Sequence, residues 1–292
     1  MPELPEVETV RRDLNDCLVG QRFIKVDVYD FKNVAPSAIF LAKNLVNLKI
    51  KEISRRGKLL IFNFVKSDFK LLVHLKMTGQ LIYQDNKSIL AGGHSLSEVS
   101  FKDSVGGDLP NRYTRVVFEL SSSKLFFNDL RKFGYIKLIK EEELKRVLQI
   151  AYGPEPFDKE FSLKFLKDLL SRHKISIKAL LLKQDAIAGL GNIYVDESLF
   201  LAKIKPNRLC GSIKDDEIRS LRLAIRKVLK QAIKKRGTTF SDFVDLRGSK
   251  GNFSEDLKVF NRQGKKCFKC RNEIKKIKVA GRGTHFCSFC QK

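Results

Sequence analysis

Met1-Pro2-Glu3-Leu4-Pro5-Glu6-Val7-Glu8-Thr9-Val10 opens the chain and sets how the rest of it is read. A small residue behind an initiator methionine favours its removal, so the mature chain is expected to start at Pro2. The proline nitrogen is then a secondary amine, a nucleophile that no internal proline offers, and amines that form Schiff bases are an established covalent strategy. Attack on a sugar carbon gives an iminium, which has no second N–H proton to shed and stays an electron sink. Glu3 adjoins that amine and Glu6 lies one helical turn further, which puts a general acid or base within reach. Pro5 suits the first helical position, and Glu6 and Glu8 suit the positive end of a helix dipole. Val7, Val10, Leu14, Cys17 and Leu18 then recur at helical spacing. The same residue types also describe a capped amphipathic helix without chemistry, and alone they favour that plainer reading.

Size and charge bound what such a terminus could serve. A chain of 292 residues has room for two domains and a small appendage. Its 57 Lys and Arg against 33 Asp and Glu leave a formal net charge of +24, which calls for a polyanionic partner, nucleic acid before others. An anionic membrane surface is the weaker alternative, because no apolar run approaches the ~20 residues of a spanning helix. The acidic first residues lack the plan of a signal peptide, so the protein is expected in the cytosol. Of six cysteines, Cys17 and Cys210 stand alone and four cluster near the C-terminus, which is not a disulfide framework.

Outward from the first helix, residues from about 22 to 139 read as β. Phe23, Val26 and Val28 begin a strand, and Val46, Leu48 and Ile50 alternate. Leu59 to Val65 and Phe69 to Leu75 are short apolar runs that fit buried strands, and three more follow between Tyr113 and Ile139. Short strands separated by turn residues predict a β-sandwich. The polar stretch from Gln84 to Arg112 reads as one long surface loop. Glu141 to Ile150 reads as a helix, broken by Gly153, Pro154 and Pro156. Beyond that break the pattern is helical: Phe161, Phe165 and Leu169 share a face, Lys174 to Leu182 gives a second helix, and Gly189-Leu190-Gly191-Asn192 turns into a third. A long basic amphipathic helix runs from Asp215 to Lys235 and stops at Gly237.

The C-terminus carries the strongest signal that depends on residues alone. Cys267-x2-Cys270, then sixteen residues, then Cys287-x2-Cys290 has the spacing of a tetrahedral zinc site, and four thiolates close the coordination sphere, so one structural zinc is expected. Residues 251–292 hold eleven Lys and Arg against three Asp and Glu. A metal-stapled hairpin that basic is expected on nucleic acid. With four thiolates present, His285 is read as a non-ligand.

The opening octapeptide resembles the N-terminus of formamidopyrimidine-DNA glycosylases, the bacterial base-excision enzymes for oxidised purines. Four further matches follow in order: Lys58 after Arg55-Arg56-Gly57, His74-Leu75-Lys76-Met77-Thr78-Gly79, Asn128-Asp129-Leu130-Arg131-Lys132-Phe133-Gly134, and the glycine turn leading into Asn192. The resemblance implies an α+β multidomain fold: an N-terminal β-sandwich catalytic domain with a flanking helix over 1–150, a helix–two-turns–helix domain over 151–250, and a zinc-finger β-hairpin over 251–292. It implies Pro2 as nucleophile, Glu3 as the acid–base group, and Glu6 and Lys58 as positioning groups in the active site. Met77, Arg131 and Phe133 would fill the gap left by an extruded base, which chemistry under a stacked base requires. His74, Lys178, Asn192 and Arg282 would grip the DNA backbone. The implied partner is double-stranded DNA bearing an oxidised base or abasic site, met by a monomer beside the bacterial nucleoid, with no membrane role.

Three places depart from the family pattern. Phe260 replaces a tyrosine, Tyr113-Thr114-Arg115 replaces a His-rich segment, and the 84–112 loop is enlarged. The segment from Gly237 to Gly251 is expected to cover the extruded base. Two rivals stay open: an endonuclease VIII-like glycosylase for oxidised pyrimidines, against which Leu4 argues mildly, and a non-catalytic zinc-containing nucleic-acid-binding protein.

Overall fold

The computed structural model describes residues 1–86, 89–94, 107–238, 243–244 and 251–292. Contacts divide the chain into two compact units, residues 1–148 with 235–254, and residues 149–234 with 255–292. This regroups the sequence-based domains. The stretch from 235 to 254 joins the N-terminal body, and the zinc segment clusters with the helices rather than standing alone.

The first unit begins with α1 (Leu4–Leu18), whose Val7, Val10, Leu14 and Leu18 are buried as the helical spacing predicts, with Leu4 added and Cys17 only half-buried. Among the described residues ten strands follow through residue 140: β1 (Phe23–Val28), β2 (Val34–Ala35), β3 (Ile50–Arg56), β4 (Leu59–Phe64), β5 (Phe69–His74), β6 (Gly79–Gln84), β7 (Ile89–His94), β8 (Thr114–Leu120), β9 (Lys124–Asp129) and β10 (Tyr135–Lys140). One sheet runs β1-β8-β9-β6-β7 and ends on β11 (Phe243–Val244); the other runs β2-β10-β5-β4-β3. Their shared core includes Phe23, Phe62, Phe64, Leu71, Val73, Leu81, Phe118 and Phe127. Phe23 meets Phe64 and Phe118 edge-on, with ring centroids 5.9 and 5.6 Å apart. Such pairs contribute about 0.5–1.5 kcal/mol beyond area burial. Ile82, Val117 and Phe126 point the opposite way and form a second cluster with Leu109. Burial on both faces explains why these strands read as apolar runs rather than alternation.

Two expectations are corrected. Residues 38–45 form a helix, α2 (Ala38–Leu45), where the sequence reading had only strands. Ser37 caps it by accepting the Phe40 N–H at 3.1 Å. The alternation at Val46 and Leu48 belongs to the turn behind it, with Asn47 at φ 69°, and the strand starts only at Ile50. Local capping thus outweighed a short periodic run. The stretch expected as a single loop contains β7, paired antiparallel with β6 from Gln80↔Gly93 to Gln84↔Ile89.

After α3 (Glu141–Ala151), the second unit holds α4 (Leu163–Ser171), α5 (Ile177–Leu181), α6 (Asn192–Leu201) and α7 (Asp215–Lys234), then the hairpin β12 (Ile274–Val279) and β13 (Arg282–Cys287). Helix α7 buries Ile218, Leu221, Ile225, Val228 and Leu229 on one face. In α6, Tyr194 through Leu199 are all buried, so it is the interior helix of this unit. No helix among the described residues is long and apolar enough to cross a membrane.

Candidate active site and nucleic-acid interface

In the first unit the N-terminal segment is buried and tightly wired. Pro2 and Glu3 lie beneath the surface behind an exposed Met1. The Glu6 carboxylate accepts the Glu3 N–H at 2.8 Å, half of a capping box, and with its other oxygen the Thr238 N–H at 2.8 Å. Gly237, at φ +86°, lets the chain come this close; a Cβ there would stand 2.7 Å from that Glu6 oxygen. Arg236 grips both oxygens of buried Asp13, at 2.8 and 2.6 Å. Helix α1 is therefore tied to the 236–238 stretch by two of its own carboxylates. Most of the segment expected to cover an extruded base, residues 239–242 and 245–250, lies outside the described residues.

Lys58 is buried within the two-residue β3–β4 turn. Arg55 spans from Glu8, at 3.1 Å, to the carbonyl of Gly57, at 2.8 Å, and so braces that turn against α1. Burial alone would raise the Glu8 carboxyl, but Arg11, Arg55 and Arg12 overturn that and hold it down at about 2. His74, at the end of β5, is held down at about 3 by burial, helped by the charges of Lys76 and Lys58. It is neutral at pH 7, and its Nδ1 accepts the Lys76 N–H at 2.9 Å. Its proton therefore sits on Nε2.

Met77 is distant in sequence from Arg131 and Phe133 and meets them in space. Met77 is 40% exposed and Phe133 49%. The Arg131 guanidinium donates to Met77 Sδ at 3.4 Å and lies 4.5 Å from the Phe133 ring centroid. Three tips form one exposed stack. Arg115, from the departure at 113–115, is buried, and its Nε donates to the Asp129 carbonyl at 2.9 Å, bracing the root of the Arg131 loop.

In the second unit two sequence-distant residues, Asn192 and Lys178, converge on Gly283. Asn192, the first residue of α6, donates to the Gly283 carbonyl at 3.0 Å, and Lys178 Nζ lies 3.5 Å from the same oxygen. Arg282 is the adjacent residue, exposed beyond the Ala280-Gly281 turn, whose φ values are 49° and 73°. Asn192 keeps a buried Oδ1 with no hydrogen-bond partner among the described residues. Gly191 precedes α6 and supplies no side-chain cap. Lys178 differs from the expected surface grip: it is 0% exposed, with Nζ 2.6 Å from Asp196 Oδ1.

Sequence reading missed the acidic pair that joins hairpin to helix. Asp196 also accepts the His285 N–H at 2.8 Å. Glu197 accepts from Lys258, Val259 and Phe260 at 2.9, 2.9 and 2.8 Å. Two consecutive acids in an otherwise apolar helix were the available signal. Phe260 sets its ring against His285 with centroids 5.0 Å apart.

Cys267, Cys270, Cys287 and Cys290 bring their sulfurs within 4.8 Å of one another. Tetrahedral zinc at about 2.3 Å from each sulfur fits a cluster of that size. The N–H groups of Lys269 and Cys290 point at Cys267 and Cys287 Sγ, each at 3.4 Å, as thiolates require. His285 lies toward Asp196, 3.7 Å away, and not among the sulfurs. These cysteines hold one structural zinc.

A β-sandwich with an exposed wedge, a helix–two-turns–helix segment and a four-cysteine zinc hairpin define a class of nucleic-acid-binding protein. Family models agree along the chain: the formamidopyrimidine-DNA glycosylase N-terminal domain matches residues 1–136, its H2TH domain residues 152–244, and a zinc finger found in FPG and IleRS residues 264–292. The chain is 42% identical over 295 residues to the formamidopyrimidine-DNA glycosylase of Pelotomaculum thermopropionicum, covering 100% of this chain and 99% of that one. It matches Lactococcus lactis Fpg in complex with N7-benzyl-Fapy-dG DNA, with TM-score 0.87, 37% identity and 100% of both chains covered. A Lactococcus lactis Fpg complex with abasic-site DNA matches with TM-score 0.85 and 37% identity over 99% of each chain. The chain belongs to the formamidopyrimidine-DNA glycosylase family.

Proposed function

We propose that this protein is a bifunctional DNA glycosylase and abasic-site lyase of base-excision repair, acting on 8-oxoguanine and formamidopyrimidines in duplex DNA. The observation that carries this reading is the stack of Met77, Arg131 and Phe133, an apolar wedge with a cation at its centre. A free-standing exposed stack of that kind has no role in the core. It suits the space vacated by a flipped nucleotide, whose unstacking costs a few kcal/mol.

With Met1 removed, the Pro2 nitrogen attacks the sugar C1′ and the C1′–N bond to the damaged base breaks. Glu3 gives a proton to the ring oxygen as the sugar opens, leaving an iminium between Pro2 and C1′. Loss of the C2′ proton expels the 3′ phosphate, and a second elimination expels the 5′ phosphate. Glu6 acts through the backbone: by holding Glu3 N–H and Thr238 N–H it fixes where Glu3 points. Lys58, neutral His74, Asn192 and Arg282 orient phosphates, and Lys178 sets the Gly283 carbonyl between Asn192 and Arg282. The zinc keeps the hairpin folded and takes no part in bond chemistry. The protein works as a monomer in the bacterial cytoplasm beside the nucleoid.

The test is a duplex with one 8-oxoguanine. Release of the base together with strand cleavage on both sides of the sugar is expected. Salt-sensitive binding with an intact strand would leave only a binding protein, and cutting confined to oxidised pyrimidines would favour the endonuclease VIII-like rival.

A further inference from the structure

We propose that Asp129 is the positioning residue that sets the Met77 turn and the Arg131–Phe133 loop as one rigid wedge. The inference rests on the reading of those three tips as the base-displacing element.

Topology supplies the first argument. The turn 75–78 carries the chain from β5 in one sheet to β6 in the other, and the loop 130–134 carries it back from β9 to β10. Strand β10 pairs with β5 at Tyr135↔His74, and β9 pairs with β6 at Asp129↔Gly79. The two crossovers therefore lie side by side at one edge of the sandwich. Nothing in strand pairing alone fixes how far either tip reaches.

Asp129 supplies that constraint. It is 0% exposed, and among the described residues every hydrogen bond of its carboxylate goes to one of the two crossovers. Oδ1 accepts the Thr78 hydroxyl, next to Met77, and the Arg131 N–H at 3.2 Å; Oδ2 accepts the Gly134 N–H at 2.7 Å. The Arg131 N–H is shared with Thr78 Oγ1 at 3.1 Å, which closes the link between the crossovers. Gly134 permits the approach: a Cβ there would lie 2.6 Å from the Phe127 ring and 3.0 Å from Asp129 Oδ2. A buried carboxylate is costly unless it is well hydrogen-bonded, and charge-assisted bonds are the strong ones. The pleated frame thus holds both ends of the 130–134 loop to one anion, and the Met77 turn hangs on the same anion through one hydroxyl. Asn33 adds a second brace, donating to the Lys132 and Gly134 carbonyls at 2.8 and 2.9 Å.

The experiment compares Asp129→Asn, Thr78→Val and Thr78→Ser in the zinc-loaded full-length protein. Wedge insertion is followed by a fluorescent base analogue next to 8-oxoguanine, and cleavage is measured in single turnover on that duplex and on one with a preformed abasic site. Asp129→Asn and Thr78→Val are expected to slow insertion and 8-oxoguanine release at least tenfold, while abasic-site cleavage, which has no base to extrude, changes less than threefold. Thr78→Ser, which keeps the hydroxyl, is expected within twofold of wild type on both. Wild-type insertion kinetics in folded Asp129→Asn and Thr78→Val overturn the inference. Equal loss on both substrates together with a lowered melting temperature overturns it too, because Asp129 would then serve stability alone. Should Asp129→Asn fail to fold, Thr78→Val and Thr78→Ser carry the test. A wild-type protein that never releases 8-oxoguanine removes the functional reading itself, a result distinct from either.

Discussion

The wedge of the β body and the turn of the zinc hairpin are held by opposite means. Met77, Arg131 and Phe133 stand on two crossovers of a large sandwich and are fixed by protein groups alone. Arg282 stands at the end of a two-stranded hairpin whose own apolar cluster comprises little more than Val259, Cys267, Ile274 and Cys287. A core that small does not sustain a fold, so the metal replaces it. The hairpin is then moored to α6 by Asp196 and Glu197, and at its end by Gln291, which links the Cys287 N–H to the Ile204 carbonyl. Where the core is deep, protein side chains such as Asp129, Asn33 and Arg115 hold a loop without metal. Where it is shallow, folding and metal binding become a single equilibrium.

Metal removal should separate the two most sharply. Chelation, or Cys287→Ala, takes away a binding free energy of roughly 10 kcal/mol or more that is also local folding energy. Amide exchange in β12 and β13 should lose its protection and duplex affinity should fall by about two orders of magnitude. Protection in β4 and β5 should stay unchanged; its loss would break the contrast. A smaller effect sharpens it. Arg282→Ala should weaken binding several-fold and flatten the slope of log affinity against log salt by about 1. Phe133→Ala should slow base release and leave that slope alone. Equal slopes for Arg282→Ala and wild type would remove the phosphate contact.

A further contrast is in pH. The unfolded chain protonates His74 below the ordinary imidazole value near 6.5, whereas the folded protein refuses the proton until about 3. Unfolded chains therefore bind more protons across that window, and stability falls as pH falls. By pH 5 the loss is about 2 kcal/mol. Thermal melting of the β body should be less pH-sensitive in His74→Gln; an identical pH dependence would show that the imidazole is not protected.

What could be read from the sequence follows the same division between local chemistry and long-range wiring. The zinc cysteines are readable from their spacing alone, whereas the Pro2-Glu3 terminus and the Asp129 to Gly134 string gain a functional reading only from resemblance to a family. Helix α2 was missed because its signal is one serine cap and two buried leucines in a β-rich stretch. Strand β7 was missed because its glycines and polar flanks resemble a loop. Asp196, Glu197, Asp13 and Arg236 acquire meaning only from partners up to 223 residues away, which no local pattern encodes. Lys178 was assigned by position in a motif, and only the fold reveals that Asp196 holds its charge.

The account depends above all on the covalent role of the Pro2 nitrogen. Borohydride reduction during turnover on an 8-oxoguanine duplex, followed by mass mapping of the trapped peptide, addresses it directly. The expected result is a deoxyribose remnant on Pro2 of a chain lacking Met1, and no adduct when the methionine is retained. An adduct mapped to Lys58 or any other lysine, or full activity in a chain that keeps Met1, would contradict it.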